Sequence, residues 1–197
     1  SARKYFAVLA AQAAKDSNLY WEGRGLFGLV QAEVQCGRID EARRSLIRFR
    51  AISTNPKLAA SDDQVVDVRV LDAWMALEAG DTSAAYDRVV EALRAHEYFD
   101  GERKPVFRAA LILAAEAALA THHPANAPGF ARDARSIVAR DSLTDSRSAY
   151  VGEARLVETR ALLASGDTTT ARATLGRAVV ALRTGAGAEH PRTREAE

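Results

Sequence analysis

A chain of 197 residues can bury a sizeable core, and 48% apolar with 27% charged side chains is the composition of an ordinary soluble domain. Twenty-seven basic against 26 acidic residues leave a net charge of +1, so a phosphate backbone or an anionic membrane meets no basic excess. No run reaches the ~18 apolar residues of a membrane span, no signal peptide is evident, and the single cysteine, Cys36, excludes an internal disulfide. Cys36 suits a reducing, cytoplasmic setting, where it reads as a small packed hydrophobe at a helix end.

Arginine and alanine are abundant and alternating β-branched runs are few, which predicts helix without sheet. Residues 2–15 carry Tyr5, Phe6, Val8, Leu9 and Ala13 at helical spacing and end at Asp16-Ser17-Asn18. They read as the second half of a hairpin begun upstream. A helix from about Leu19 to Cys36 precedes one from about Ile39 to Ile52, where Ile39, Ala42, Leu46 and Phe49 form one stripe. Ser53 to Lys57 is a loop, because Pro56 disfavours a helical residue before it. Ser61 with Gln64 reads as a capping box for a helix to about Ala79, with Val66, Val70, Ala73 and Leu77 aligned. Beyond Gly80, Ala85, Val89 and Leu93 lead a helix to about Ala95; His96 to Lys104 is a polar loop.

Pro105 suits a first helical position, and from Val106 to Ala120 only Arg108 and Glu116 are charged, which predicts a central helix buried on nearly all sides. Its partner runs from about Asn126 to Arg140 with Phe130, Ala134, Ile137 and Val138 inward. After the polar loop Asp141 to Ser146, a helix spans about Arg147 to Ser165, and the last full helix follows Asp167 with Ala171, Leu175, Ala178 and Leu182 on one face. The expectation is an all-α chain of about nine helices in one domain, 1–197. It comprises a leading helix 2–15, hairpins at about 19–52, 61–95, 105–140 and 146–183, and a tail 184–197. Beginning at Ser1 and stopping in what reads as a helix start, it is expected to be a piece of a longer chain.

Three turns organise the chain. Gly37, Gly80 and Gly166 each end a helix, polar or acidic residues follow as caps, and an alanine stands five residues later, at 42, 85 and 171. The first two glycines are 43 residues apart and the next pair 86, twice 43, so one unit lacks its glycine. The vacancy falls at His122-His123, in a loop from Thr121 to Pro128. A fixed period of this size marks stacked helix hairpins, none of which buries its apolar face alone.

These residues resemble the tetratricopeptide-repeat superfamily, in which a Gly-Asp-type turn joins two helices and a small residue early in the second lets them close. Gly37 with Ala42, Gly80 with Asp81 and Ala85, and Gly166 with Asp167 and Ala171 carry the likeness, with Leu46, Val89 and Leu175 at the later apolar positions. The tail Gly187-Ala188-Glu189-His190-Pro191-Arg192-Thr193 is similar to the linker that opens a further repeat in kinesin-light-chain-like members. The period of 43 exceeds the family's usual length of about 34. The resemblance implies an α-solenoid, and in bacteria a docking or sensing part of a larger regulator such as a kinase or transcription activator.

The resemblance also implies a site, because in that family the first helix of each pair lines a concave groove at fixed distances before the turn glycine. Counting back from Gly37 gives Arg24, Phe27, Gln31, Val34 and Gln35; from Gly80, Asp67, Val70, Trp74, Leu77 and Glu78; from Gly166, Glu153, Leu156, Arg160, Leu163 and Ala164. Taking His122 as the glycine equivalent adds Glu116. Polar groups around Trp74 suit a peptide or helix in a groove.

Other chemistry finds little footing. Gly23-Arg24-Gly25-Leu26-Phe27-Gly28 fits a dinucleotide or kinase glycine loop, yet no buried strand precedes it and no partner motif occurs; close helix approach explains these glycines. His122-His123 lack ligand-spaced partners; arginines 43, 44, 48 and 50 could face phosphates, yet Arg43, Arg44 and Arg48 lie on the solvated side with Asp40 and Glu41. The reading is a non-catalytic protein- or peptide-binding scaffold without cofactor, metal, nucleic acid or membrane. The alternatives are a sensor of a small peptide or metabolite and a homo-oligomerisation element.

Overall fold

The structure is a computed structural model that describes residues 2–58, 62–97, 105–121, 123–138 and 146–197. These residues form ten α-helices and two short 3-10 turns, with no strand among them. The chain divides into two compact units, residues 1–98 and 99–197. In the first, α1 (Ala2–Lys15), α2 (Leu19–Gln35), α3 (Ile39–Ser53), α4 (Asp62–Glu78) and α5 (Thr82–Glu97) pack each against the next, and α2 also touches α4. In the second, α6 (Pro105–Ala120) and α7 (Ala127–Val138) pair, and α8 (Ala149–Ala164) lies against both. There α9 (Thr168–Ala186) pairs with α8, and the short α10 (Pro191–Ala196) rests on α9.

The three glycine turns share one hydrogen-bond pattern. Gly37, Gly80 and Gly166 take φ of 68°, 81° and 84°, values a side chain disfavours. Each glycine N–H and the one after it donate back to the last turn: Gly37 to Val34 and Arg38 to Glu33, Gly80 to Leu77 and Asp81 to Ala76, Gly166 to Leu163 and Asp167 to Leu162. Asp81 and Asp167 then cap the next helix, accepting from the N–H of Ala84 at 3.1 Å and Thr170 at 3.0 Å. Ala42, Ala85 and Ala171 are at most 1% exposed, so the helix pairs close on a methyl group.

The turn after α1 uses the same device under a different sequence, and the turn after α6 uses another. At the end of α1 Ser17 has φ 55°, its N–H donates to Ala14 and that of Asn18 to Ala13, which is the glycine turn with serine in the left-handed place. Asn18 caps α2 through the Trp21 N–H. Between α6 and α7 a 3-10 turn, Pro124–Asn126, replaces the glycine, and Ala127 closes the pair at 0% exposure.

Helix bounds differ from expectation in a few places. His96 and Glu97 continue α5 instead of opening a loop, and α8 starts at Ala149 because Ser148, its N-cap, is extended. The helix start expected at the end of the sequence is α10: Gly187 (φ 93°) stops α9, and His190 and Pro191 open a tenth helix among the described residues where about nine were expected. Cys36 is exposed, not packed, because as the C-cap residue of α2 it sits in the turn itself. The Ser61 capping box, His122, and the loops expected over 98–104 and 141–145 lie outside the described residues.

The glycine-rich stretch lies inside α2, behind α1 and a turn. A Cβ on Gly25 would stand 2.7 Å from the Ala10 backbone nitrogen, and one on Gly28 2.4 Å from the Phe6 ring. The glycines therefore set how closely α1 and α2 approach. Gly25→Ala should lower unfolding free energy by about 1–3 kcal/mol, overpacking outweighing the better helix propensity. Gly176→Ala, exposed within α9 with nothing near its Cβ, should raise it by up to ~1 kcal/mol. Chemical denaturation reads both, and a stabilising Gly25→Ala would show that α1 does not approach so closely.

Hydrogen bonds from Thr170, its side chain foremost and then its N–H, hold the Asp167 carboxyl below the usual carboxylate range. Its capping contribution is present above the unfolded carboxylate pKa and is lost as pH falls through the lower folded value. Asp167→Ala should therefore lower Tm at neutral pH, with the gap to the wild type closing in acid; a gap independent of pH would contradict this.

Candidate functional site

The first-helix positions named from the turn register behave differently in the two units. In the first, Arg24, Gln31 and Gln35 follow one another along α2, with Arg24 and Gln31 partly buried and Gln35 exposed. On the neighbouring α4, Trp74 is partly buried and Glu78 exposed, whereas Asp67 is 7% exposed and belongs to the interior. Phe27 leaves the groove set: it is 7% exposed and its ring lies 6.2 Å from that of Phe49, inside the α2–α3 core.

Arg43, Arg44 and Arg48, expected on a solvated side, are exposed, and so is Arg50. Two of them are cross-helix staples. Arg48 Nε donates to Glu22 of α2 at 2.8 Å, and Arg50 pairs with Asp72 of α4. Glu22 is 7% exposed and Glu33, three turns along α2, is 4% exposed and accepts from the Ser45 hydroxyl at 2.8 Å. Arg43 remains an exposed side chain 3.9 Å from Asp40.

In the second unit the register brings its three residues together. Glu116 of α6 lies 3.7 Å from Arg160 of α8, and Glu153, two turns before Arg160, feels the charge of Glu116. Groups that the sequence reading did not assign to a site complete the cluster. Arg192 of α10 donates to Glu116 at 2.7 Å and pairs with Glu195 at 3.0 Å, Glu195 also pairs with Arg160, and Arg108 of α6 acts on Glu153. Arg108 lies over the Tyr150 ring, 3.5 Å from its centroid. His190, the N-cap of α10, accepts from the Arg192 N–H through Nδ1. A signal for Arg108 existed in the sequence, since it and Glu116 are the only charges in an otherwise apolar helix.

Three carboxylates, Glu116, Glu153 and Glu195, thus face three guanidiniums, Arg108, Arg160 and Arg192. Burial pushes the Glu153 carboxyl above the ordinary carboxylate range; Arg192 and Arg108 oppose the rise, Glu116 adds to it and His190 opposes it. Burial also lowers the Arg108 and Arg160 guanidiniums, against attraction from Tyr150 and Glu153 for the first and Glu116 for the second. Such a face can pair with ligand groups of both signs. Among the described residues no cluster of His, Cys, Asp and Glu could hold a metal ion, His123 is exposed, and no helix is long and apolar enough to cross a membrane.

Because the folded pKa of Glu153 lies above its unfolded value, the folded state holds the extra proton between the two, and stability falls as pH rises through that window. Glu153→Gln removes this titration. The variant should gain stability relative to the wild type as pH climbs from the ordinary carboxylate range and keep that gain above it, as read by thermal melts across pH. Parallel curves would mean that Glu153 is not buried among these charges.

Compared with protein-family models, curated proteins and solved structures, the chain matches none. Its role is therefore read from the turns, the packing and the charged face alone.

Proposed function

We propose that the chain is a non-catalytic scaffold of stacked helix pairs, an α-solenoid of tetratricopeptide type, which binds a protein or peptide segment through its first helices in the cytoplasm. The observation that carries this reading is the charged cluster of the second unit. Counting back from turn positions selects Glu116 and Arg160, 44 residues apart, and they stand 3.7 Å from each other.

Helix order supports it from a second side. Each unit has one first-helix contact across a pair, α2 with α4 and α6 with α8, beside the contacts between chain neighbours. Stacked hairpins produce that pattern, and it turns successive first helices toward one face. On α2 and α4 that face offers Arg24, Gln31 and Gln35 beside Trp74 and Glu78, polar groups around one large aromatic. An aromatic that is neither fully buried nor fully exposed suits an anchor for a docked segment.

Peptides selected from a displayed random library on the full chain test the reading. Arg24→Ala and Trp74→Ala should each weaken selected peptides at least ~10-fold, the loss of a hot-spot contact, and Arg24→Ala should leave Tm nearly unchanged. Failure to select any peptide, or selected peptides indifferent to both substitutions, would remove the groove.

A further inference from the structure

We propose that the second unit holds a small-molecule site between α6 and α8, in which Arg108 takes the carboxylate and Glu153 the ammonium of a free amino acid. The site uses none of the residues of the α2–α4 groove and goes beyond the scaffold reading.

Two contacts fix how α6 and α8 lie against each other. Glu116 stands 3.7 Å from Arg160, and Arg108, two turns earlier on α6, lies over the ring of Tyr150, near the start of α8. The helices therefore run in the same direction. Glu153 follows Tyr150 by one turn on the same side of α8, so opposite charges face one another at two levels about 11 Å apart. At the first level the carboxylate belongs to α6 and the guanidinium to α8, and they pair. At the second the order is reversed, with Arg108 on α6 and Glu153 on α8. This level stays open: among the described residues neither group makes an ion pair, and Glu153 accepts no hydrogen bond.

Tyr150 is what keeps the second level from closing. Its ring, 3.5 Å from the guanidinium, and its hydroxyl hold Arg108, which retains N–H donors for a planar carboxylate. Burial weighs against the charge of both Arg108 and Glu153, so a ligand that brings an ammonium to one and a carboxylate to the other compensates two desolvated ions at once. A ligand of one sign leaves the other ion unmatched. Tyr150 is half exposed, which gives the level a mouth to solvent. The closed level argues for a small molecule over a chain. Glu116 there also accepts from Arg192 at 2.7 Å, so a segment running along both helices would have to part ions already paired. A free amino acid, with both charges on one carbon, enters the open level without disturbing them.

Thermal melts of the full chain at neutral pH, with each common L-amino acid in turn at about 10 mM, test the site. At least one should raise Tm saturably, as a ligand of the folded form does. In calorimetric titration its N-acetyl and its amide derivatives, each left with one charge, should bind the wild-type chain at least ~10-fold more weakly, the loss of one charged hydrogen-bonding group. Arg108→Gln and Glu153→Gln should weaken the parent amino acid as much, and Glu153→Gln is expected to stay folded. No rise in Tm with any amino acid overturns the proposal, and so do blocked derivatives that bind as well as the parent. The comparison of derivatives on the wild type holds whatever the variants do to folding. Peptides with both ends blocked that bind here and are lost with Glu153→Gln would make this level part of a segment-binding groove, also overturning the amino-acid site. Library peptides sensitive to Arg24→Ala leave the scaffold reading standing in each case.

Discussion

The structure depends on how closely two helices can approach just after a tight turn. Ala42, Ala85, Ala127 and Ala171 occupy that point in four helix pairs, none more than 1% exposed. A larger side chain there would force the second helix off the first, and every contact farther along the pair would shift with it. The turn and the alanine act together. The left-handed residue fixes where the first helix stops, the cap fixes where the second starts, and the methyl group fixes their distance. Between α1 and α2 the small group lies within the helix, where Gly25 receives the Ala10 backbone and Gly28 the Phe6 ring. The conformational device is thus repeated while the residue that provides close approach changes.

With distances set by small residues, much of the pairing specificity falls to polar side chains that reach between helices. Glu22 and Glu33 are buried on α2 yet paired with Arg48 and Ser45 of α3. Arg50 carries the series to Asp72 on α4, Arg69 of α4 meets Glu91 of α5 at 3.2 Å, and Arg135 of α7 stands 3.8 Å from Glu158 of α8. An exposed ion pair contributes about 0–1 kcal/mol, so the sum is modest. A misregistered pair, by contrast, would strand a buried carboxylate, and that cost is larger. The abundance of arginine therefore has a structural use in this chain: its long stem spans the gap and its planar head reads a carboxylate on the next helix.

How far the sequence could be read follows from which signals are local. Helix bodies and the Gly37, Gly80 and Gly166 turns were legible because glycine, cap and alanine lie within six residues of one another. The turn at Asp16-Ser17-Asn18 was legible in place but not in form, since serine rarely takes φ of 55° and nothing in its type announces it. Phe27 was placed in a groove by register, although an aromatic at that spacing serves a core equally well; only the ring of Phe49 decides. Arg48 is exposed as its register indicates, but its pairing with Glu22, 26 residues away, has no local signal. Arg192 and Glu195 were hidden more deeply, for their place beside Glu116 requires the tail to turn back as a helix.

The two units also differ in what their first helices can discriminate. On α2 and α4 the selected positions are separate polar groups around Trp74, a surface whose affinity for a segment would come from area and one anchor. On α6 and α8 the same positions belong to a set of opposite charges, in which Glu116 pairs with Arg160 and Arg192 while Arg108 lies over the Tyr150 ring. Such a set gains little from merely being covered, because covering it removes water from ions already matched.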